Sequence, residues 1–305
     1  MKVFDRGAVR RHRERASPRF AGHRFLVAEV AERLADRLSD VTREFAAALD
    51  LGCHSGELST ALKGRGGIRR LVQADLSEAM VRRASGLRLV CDEELLPFAP
   101  ASFDLILSVL SLHWVNDLPG ALAQIARCLK PDGLFLAALL GGETLHELRQ
   151  ALITAELEEE GGASPRVSPF VELRDAGQLL QRAGLALPVV DSDTITVTYG
   201  DALELMAELR GMGESNAVLD RRHGLTRRAT LLRAAELYRE LYADGDGRLP
   251  ATFQVLTLTA WAPHESQQKA LAPGSARSLL AEALGTDEHS AGEKARPGGG
   301  DTDKP

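Results

Sequence analysis

The stretch Leu49-Asp50-Leu51-Gly52-Cys53-His54-Ser55-Gly56 places an acid at the end of an apolar run, then two glycines four apart, then a helix-like segment. Glycine at such a turn lets a ligand approach the backbone with no Cβ in the way. The spacing is not the G-x-G-x-x-G that cradles a pyrophosphate, and no phosphate-loop lysine follows. Asp50 stands where a pyrophosphate would be repelled. S-adenosylmethionine carries no phosphate and presents a cationic sulfonium and ammonium, so a carboxylate beside Gly52 and Gly56 suits it; for the loop alone, an ordinary strand-to-helix turn is the alternative. Asp75 follows at the end of a second run, about 20 residues beyond the glycines, the offset at which an acid accepts ribose hydroxyls. Asp92 ends a third run, where a carboxylate can accept from an adenine amino group. Cys53, Leu76, Glu93 and Ser108 flank these positions as further expected cofactor contacts.

A second chemical region follows the fourth apolar run, in Ser108 to Asp117. Alkyl transfer from a sulfonium needs alignment and an unprotonated nucleophile, so one positioned base can suffice. His113 is the candidate base or orienter, and Trp114 can stack on a ligand or a substrate cation; both also suit simple packing beneath a cap. A third region is Gly211-Met212-Gly213-Glu214-Ser215-Asn216. Glu214 offers two acceptors to a guanidinium, with Ser215 and Asn216 beside it for orientation; a glycine cap between two helices is the alternative. Only His12, with Glu14, has the His-x-Asp/Glu spacing of a non-haem iron site, so no metal site is assigned.

These positions need a scaffold. Apolar runs at Phe45 to Leu51, Leu71 to Ala74, Leu87 to Val90, Phe103 to Leu110 and Leu134 to Leu140 alternate with helical stretches, notably Leu118 to Cys128. The last run follows a turn at Lys130-Pro131-Asp132-Gly133. That alternation predicts a parallel sheet covered on both faces, with ligands at the carboxyl ends of its strands. Beyond Gly141 the spacing predicts helices at Thr144 to Glu159, Val171 to Ala183, Ala202 to Leu209 and Thr226 to Tyr242. Strands at Val189 to Tyr199 and Thr252 to Trp261 bracket the last two helices, and are expected to complete a seven-stranded sheet as an antiparallel pair.

The chain has 305 residues, 44% hydrophobic and 26% charged, with a formal charge of −6. Wholesale disorder, a bilayer-spanning helix and a surface devoted to nucleic acid are therefore not expected. Cys53, Cys91 and Cys128 lie far apart, which suits a reducing compartment. Arg6 to Arg24 is strongly basic, but Asp5 and Glu14 interrupt it, unlike a transit peptide; it reads as a solvated basic helix or docking arm. An amphipathic helix follows from Leu26 to Leu38. Gly285 to Pro305, poor in apolar side chains, reads as a disordered tail.

DLGCHSG, QADLS, CDEELLPF, FDLILSVLSLHWVNDL and LKPDGLF together resemble the class I S-adenosylmethionine-dependent methyltransferases over residues 50–140. FDRGAVRRHRERA, GGETLHELR, EGGASPRVSPF, ELRGMGESN, DGRLPATFQV and HESQ extend a closer resemblance, to the mitochondrial complex I assembly factors that hydroxylate an arginine on an iron-sulfur subunit and to their bacterial relatives. The resemblance implies a doubly wound, Rossmann-like α/β fold with a helical cap: a basic arm and helix (1–40), a cofactor-binding core (41–142), the rest of the sheet with a substrate cap (143–265) and a tail (266–305). It also implies S-adenosylmethionine as cofactor and an iron-sulfur subunit of complex I as protein substrate. The expected location is cytoplasmic, at the membrane surface, in a bacterium, and the matrix side in a eukaryote. A methyltransferase of small molecules, of the biotin-synthesis type, and a noncatalytic assembly chaperone are the competing readings. One departure stands out: His54 takes the place of the usual middle glycine.

Overall fold

Alternating apolar side chains along the central strands point to both sides of one sheet, which must therefore be covered twice. The computed structural model describes residues 2–268 together with 282 and 284–286. The strands are β1 (Ala47–Leu51), β2 (Arg70–Asp75), β3 (Leu87–Val90), β4 (Phe103–Val109), β5 (Leu129–Leu140), β6 (Ala186–Tyr199) and β7 (Leu249–Trp261). The α-helices among the described residues are α1 (Arg6–Ala16), α2 (Phe25–Ser39), α3 (Glu57–Leu62), α4 (Glu78–Val81), α5 (Leu118–Cys128), α6 (His146–Glu160), α7 (Leu173–Arg182), α8 (Ala202–Met212) and α9 (Arg228–Tyr242). The seven strands form one sheet in the order β3-β2-β1-β4-β5-β7-β6. β1 to β5 are parallel, and β7 runs antiparallel to both β5 and β6. The last pair thus joins the expected sheet, with β7 inside and β6 at the edge.

Ala48, Leu105, Leu107, Leu134 and Leu136 bury against α2, α3, α6, α8 and α9. Their sequence neighbours Leu49, Ile106, Phe135 and Ala137 bury against α5 and α7 on the opposite face. In α2 the stripe Leu26, Val27, Val30, Leu34 and Leu38 is buried, as its helical spacing requires. The turn expected at Lys130 to Gly133 lies within β5 instead. There Asp132 adopts φ +62° and the β4–β5 register jumps between Phe103↔Leu129 and Leu105↔Leu134, so the residues form a bulge that keeps the ladder continuous.

One compact unit spans Met1–Glu265, so the basic arm belongs to the same body as the sheet. The second unit, Ser266–Pro305, lies mostly outside the described residues, and so does almost all of the tail expected to be disordered. No helix among the described residues is long and apolar enough to cross a membrane.

Candidate functional site

β1 ends at the glycine turn beneath β4. Gly52 has φ +78°, and a Cβ there would collide with the Ser111 side chain. His54 adopts φ +48°, the left-handed backbone that a glycine would reach without cost; a β-carbon there costs roughly 1–2 kcal/mol. Its ring offsets that cost by stacking on Phe20 (centroids 5.8 Å apart, planes 10°) and by placing Nε2 3.0 Å from the Val109 carbonyl. The departure from the glycine pattern therefore preserves the loop's backbone. Cys53 is buried, and burial pushes its thiol pKa up, away from reactivity.

Three acids gather at the strand ends, in very different states. Asp50 is fully buried with neither carboxylate oxygen hydrogen-bonded; burial, with the charges of Asp75 and Glu57 added, raises its pKa well above the ordinary value. Asp75 accepts from the backbone N–H of His54 (3.1 Å) and Ser77 (2.8 Å), and from Arg13 Nη1 (3.0 Å). Glu93 accepts from Ser111 Oγ (2.6 Å), Arg13 (3.4 Å) and Arg6. Burial pushes the Glu93 pKa up, but Arg6 and Arg13 outweigh it and hold it down at about 2. Asp92, expected to accept from adenine, is half-buried and already bound by Arg6 (2.7 Å) and the Glu94 N–H (2.9 Å). Glu93 takes the inner position instead.

Sequence reasoning missed the arginines. Arg13 has no exposed surface, and its guanidinium bridges Asp75, Glu93 and Ser111 Oγ (2.9 Å). The basic stretch is thus not a solvated helix: α1, capped by Asp5, turns Ala8, Val9, Arg13 and Ala16 inward and leaves Arg10, Arg11 and Arg15 exposed. A signal was present. Arg6 and Arg13 stand seven apart, two helical turns, on the side that carries Val9 and Ala16.

The other half of the site lies across α1. Gly213, at φ +82°, ends α8 and passes close to the Arg13 backbone, which places Glu214 beside the end of β4. One oxygen of Glu214, Oε2, receives both Trp114 Nε1 (2.8 Å) and the His113 ring Nε2 (3.1 Å). Burial would raise the Glu214 pKa, but the His113 hydrogen bond and the charges of His113, Arg13 and His54 lower it, so the carboxylate is ionised. The sequence names His113 and Glu214 in separate regions; the structure brings them into contact. Trp114 packs edge-on to Phe4 (5.4 Å, 77°), and its indole N–H goes to Glu214.

Several expected contacts are committed elsewhere. Ser108 Oγ donates to the Leu51 carbonyl (2.6 Å), tying β4 to β1. Asn216 donates one amide N–H to the Pro165 carbonyl (2.7 Å) and accepts from the Val218 N–H (3.0 Å), closing its own loop, and it lines the same cavity as Glu214 and Ser215. The Ser215 carbonyl meets His12 Nδ1 (3.1 Å), and Leu76 is half-buried against the cluster of Phe4 and Trp114. Asn116, not singled out beforehand, accepts from the N–H groups of Val3 and Phe4 (both 2.7 Å) and so pins the arm to the end of β4.

Glu214 and Trp114 line a cavity of about 420 Å³ over the strand ends. Its walls are mostly aliphatic, with Leu26 and Val27 from α2, Leu148 and Leu152 from α6, and Met206 and Leu209 from α8. Of the arginines on its lining, Arg166 pairs with Glu156, Arg222 with Glu160 and Arg221 with Asp5 (3.3 Å). Arg210 is exposed and has no ion pair among the described residues.

The sheet order and the glycine turn define a methyltransferase fold, and residues 49–137 match the methyltransferase-domain family. A Bacillus halodurans chain assigned as a methyltransferase superposes with a TM-score of 0.54 at 14% identity, over 76% of this chain and 99% of that one, a likeness of fold alone. Over 92% of its length the chain is 46% identical to the arginine-hydroxylase NDUFAF5, mitochondrial, of Danio rerio, covering 89% of that protein. It is 34% identical to the malonyl-[acyl-carrier protein] O-methyltransferase of a Methylovorus strain, over 86% of this chain and 90% of that one. The chain belongs to the family of the NDUFAF5 arginine-hydroxylases, carries a methyltransferase domain, and is less similar in sequence to the malonyl-[acyl-carrier protein] O-methyltransferase.

Proposed function

We propose that the protein is an S-adenosylmethionine-dependent enzyme that modifies an arginine of a protein substrate during assembly of respiratory complex I. The observation that carries this reading is the state of Glu214. Its Oε2 is held by His113 and Trp114, no hydrogen bond to Oε1 occurs among the described residues, and the residue lines the cavity. An ionised carboxylate with one oxygen fixed and one available suits a guanidinium, and aliphatic walls suit its methylene stem. The 46% identity to an arginine-hydroxylase supports the same substrate class.

The cofactor-side residues fit S-adenosylmethionine on one structural point above all: the buried, unpartnered carboxylate of Asp50 needs a cation. Asp50 would hold the ammonium, Gly52 and Gly56 would admit the chain, Asp75 would take the ribose and Glu93 would face the adenine side. When bound, the cofactor supplies a methyl group on a positively charged sulfur. The protein's own contribution is placement: His113 and Trp114 fix Glu214, Glu214 fixes the guanidinium, and the aliphatic walls exclude water and so strengthen both interactions. Among the described residues no three His, Cys, Asp or Glu side chains converge as metal ligands would.

The aliphatic cavity wall and the 34% identity to a malonyl-[acyl-carrier protein] O-methyltransferase favour a second reading, methylation of an acyl substrate. Intact masses of the iron-sulfur subunits from cells with and without the gene separate the readings. An arginine heavier by one oxygen or by one CH2 supports the proposal and names the chemistry. Identical masses reject it, and methyl transfer to an acyl-carrier substrate would put the second reading in its place. Protein from bacterial cells is expected at the cytoplasmic face of the membrane, and from eukaryotic cells on the matrix side.

A further inference from the structure

The acids that would serve the cofactor are already engaged by the protein's own first helix. A carboxylate has about four acceptor positions. Asp75 has spent three of them, on two backbone N–H groups and on Arg13, and so cannot take both ribose hydroxyls while Arg13 stays. Arg13 also spans to Ser111, the side chain that a Cβ on Gly52 would strike, so the guanidinium lies across the mouth of the glycine turn. Arg6 closes the outer end on Asp92 and Glu93.

The same arm is bonded to the segment that carries Glu214. Asp5 N–H donates to the Ala217 carbonyl (2.8 Å), Leu219 N–H to the Val3 carbonyl (2.8 Å), and His12 meets the Ser215 carbonyl. Gly213, at φ +82°, packs closely on α1: a Cβ there would stand 3.3 Å from Arg13 Cα. One helix therefore stands between the two halves of the site and touches both.

We infer that α1 is an internal competitor for the cofactor: Arg13 holds the ribose acid until S-adenosylmethionine displaces it, and that displacement frees residues 213–219, which carry the substrate carboxylate. Cofactor thus binds first and releases the substrate-side loop. The inference rests on the S-adenosylmethionine reading above, and the affinity experiment separates the two.

Calorimetric titration of S-adenosylmethionine and S-adenosylhomocysteine into the full-length protein and into Arg13→Gln reads the competition directly. Glutamine retains amide donors for Asp75 and Ser111 but loses the charge. An arm that closes the site in nine molecules of ten lowers the apparent affinity about tenfold, so Arg13→Gln should bind about tenfold more tightly. Asn116→Ala, which loosens the arm and frees Glu94 without touching Asp75 or Glu93, should change affinity in the same direction by a smaller factor. Hydrogen exchange at residues 2–16 and 213–219 should quicken when cofactor is added. Weaker binding by Arg13→Gln would make Arg13 a cofactor ligand and overturn the inference. Clear binding with unchanged affinity in both variants, or slower exchange in the arm, rejects the competitor alone. No binding by any form rejects the cofactor reading along with it.

Discussion

The two halves of the site solve opposite problems. On the cofactor side, Asp75 and Glu93 are buried and ionic, and their charges are neutralised by arginines from the same chain. On the substrate side, one ionised carboxylate lines a mostly aliphatic cavity, and most arginines around it are occupied by other acids. Buried charges need partners at all times, and a chain that must bury them for a ligand has to supply a stand-in while that ligand is away. Glu214 instead keeps permanent partners, His113 and Trp114, on one oxygen. The contrast teaches that α1 belongs to the cofactor half by chemistry and to the substrate half by backbone contact.

The largest effect that would sharpen this contrast is expected from Glu214→Ala. Truncating one partner of a desolvated charge pair costs about 3 to 5 kcal/mol, enough to abolish modification of the partner protein. Cofactor affinity should stay within about twofold, roughly 0.4 kcal/mol, because Glu214 makes no direct contact with the strand-end acids. Full modification by this variant, read by intact mass, would return the GMGESN segment to the role of a helix junction.

Next in size is the acid dependence of the cofactor half. The folded-state pKa of Glu93 lies at about 2, below the ordinary 4.5. A depressed carboxylate contributes stability that is present above its unfolded pKa and is lost as pH falls toward the folded one. The window therefore runs downward from about pH 4.5 to about 2. Glu93→Gln should flatten the acid limb of stability measured by denaturant melts across that window. Glu214→Gln, on the other half, should alter it less. If Glu93→Gln keeps the full acid slope, the arginine clamp is not what neutralises the pocket.

How much of this was legible beforehand differs between the halves for physical reasons. The strands announced themselves because a doubly covered sheet demands runs such as Leu134 to Leu140, and Asp50, Asp75 and the glycines sit at their ends by simple counting. Glu214 was legible as a guanidinium ligand by its chemistry, but its contact with His113 and Trp114 was not, since about one hundred residues separate them in sequence. Arg6 and Arg13 were hidden by composition: among so many basic residues, only the seven-residue spacing tells an inward guanidinium from an exposed one. Asn216 was legible as a neighbour of that carboxylate, and it lines the same cavity, but its bonds to the Pro165 carbonyl and the Val218 N–H were not.

Asp50 gives a smaller effect with opposite signs on stability and binding. Its raised pKa reflects a buried acid with no partner, so at neutral pH the unfolded chain gains from ionising it and the folded chain does not. Stability from this group is complete below its unfolded pKa and declines as pH rises. Asp50→Asn should therefore raise the melting temperature at neutral pH, by about 1 kcal/mol in stability. The same change should weaken S-adenosylmethionine by about 1.5 to 3 kcal/mol, the range for a hydrogen bond to a charged group. A variant that is stabler and yet binds as tightly would remove Asp50 from the cofactor half.

The smallest effect belongs to Asn216, and its size is the point. Sequence chemistry made it an orienting partner for a guanidinium, in which role Asn216→Ala would impair substrate modification nearly as much as loss of Glu214. In the structure its amide donates to the Pro165 carbonyl and accepts from the Val218 N–H, so the residue joins two loops at the cavity wall and makes no hydrogen bond to Glu214. Removing those bonds should cost about 1 kcal/mol of stability. Because the Asp5–Ala217 and Leu219–Val3 backbone bonds remain, Glu214 should stay in place, and KM and kcat for the protein substrate should each change by less than about twofold. A large fall in kcat with an unchanged melting temperature would restore Asn216 to the substrate half, and would mean that the loop rearranges on binding to turn that amide toward the guanidinium.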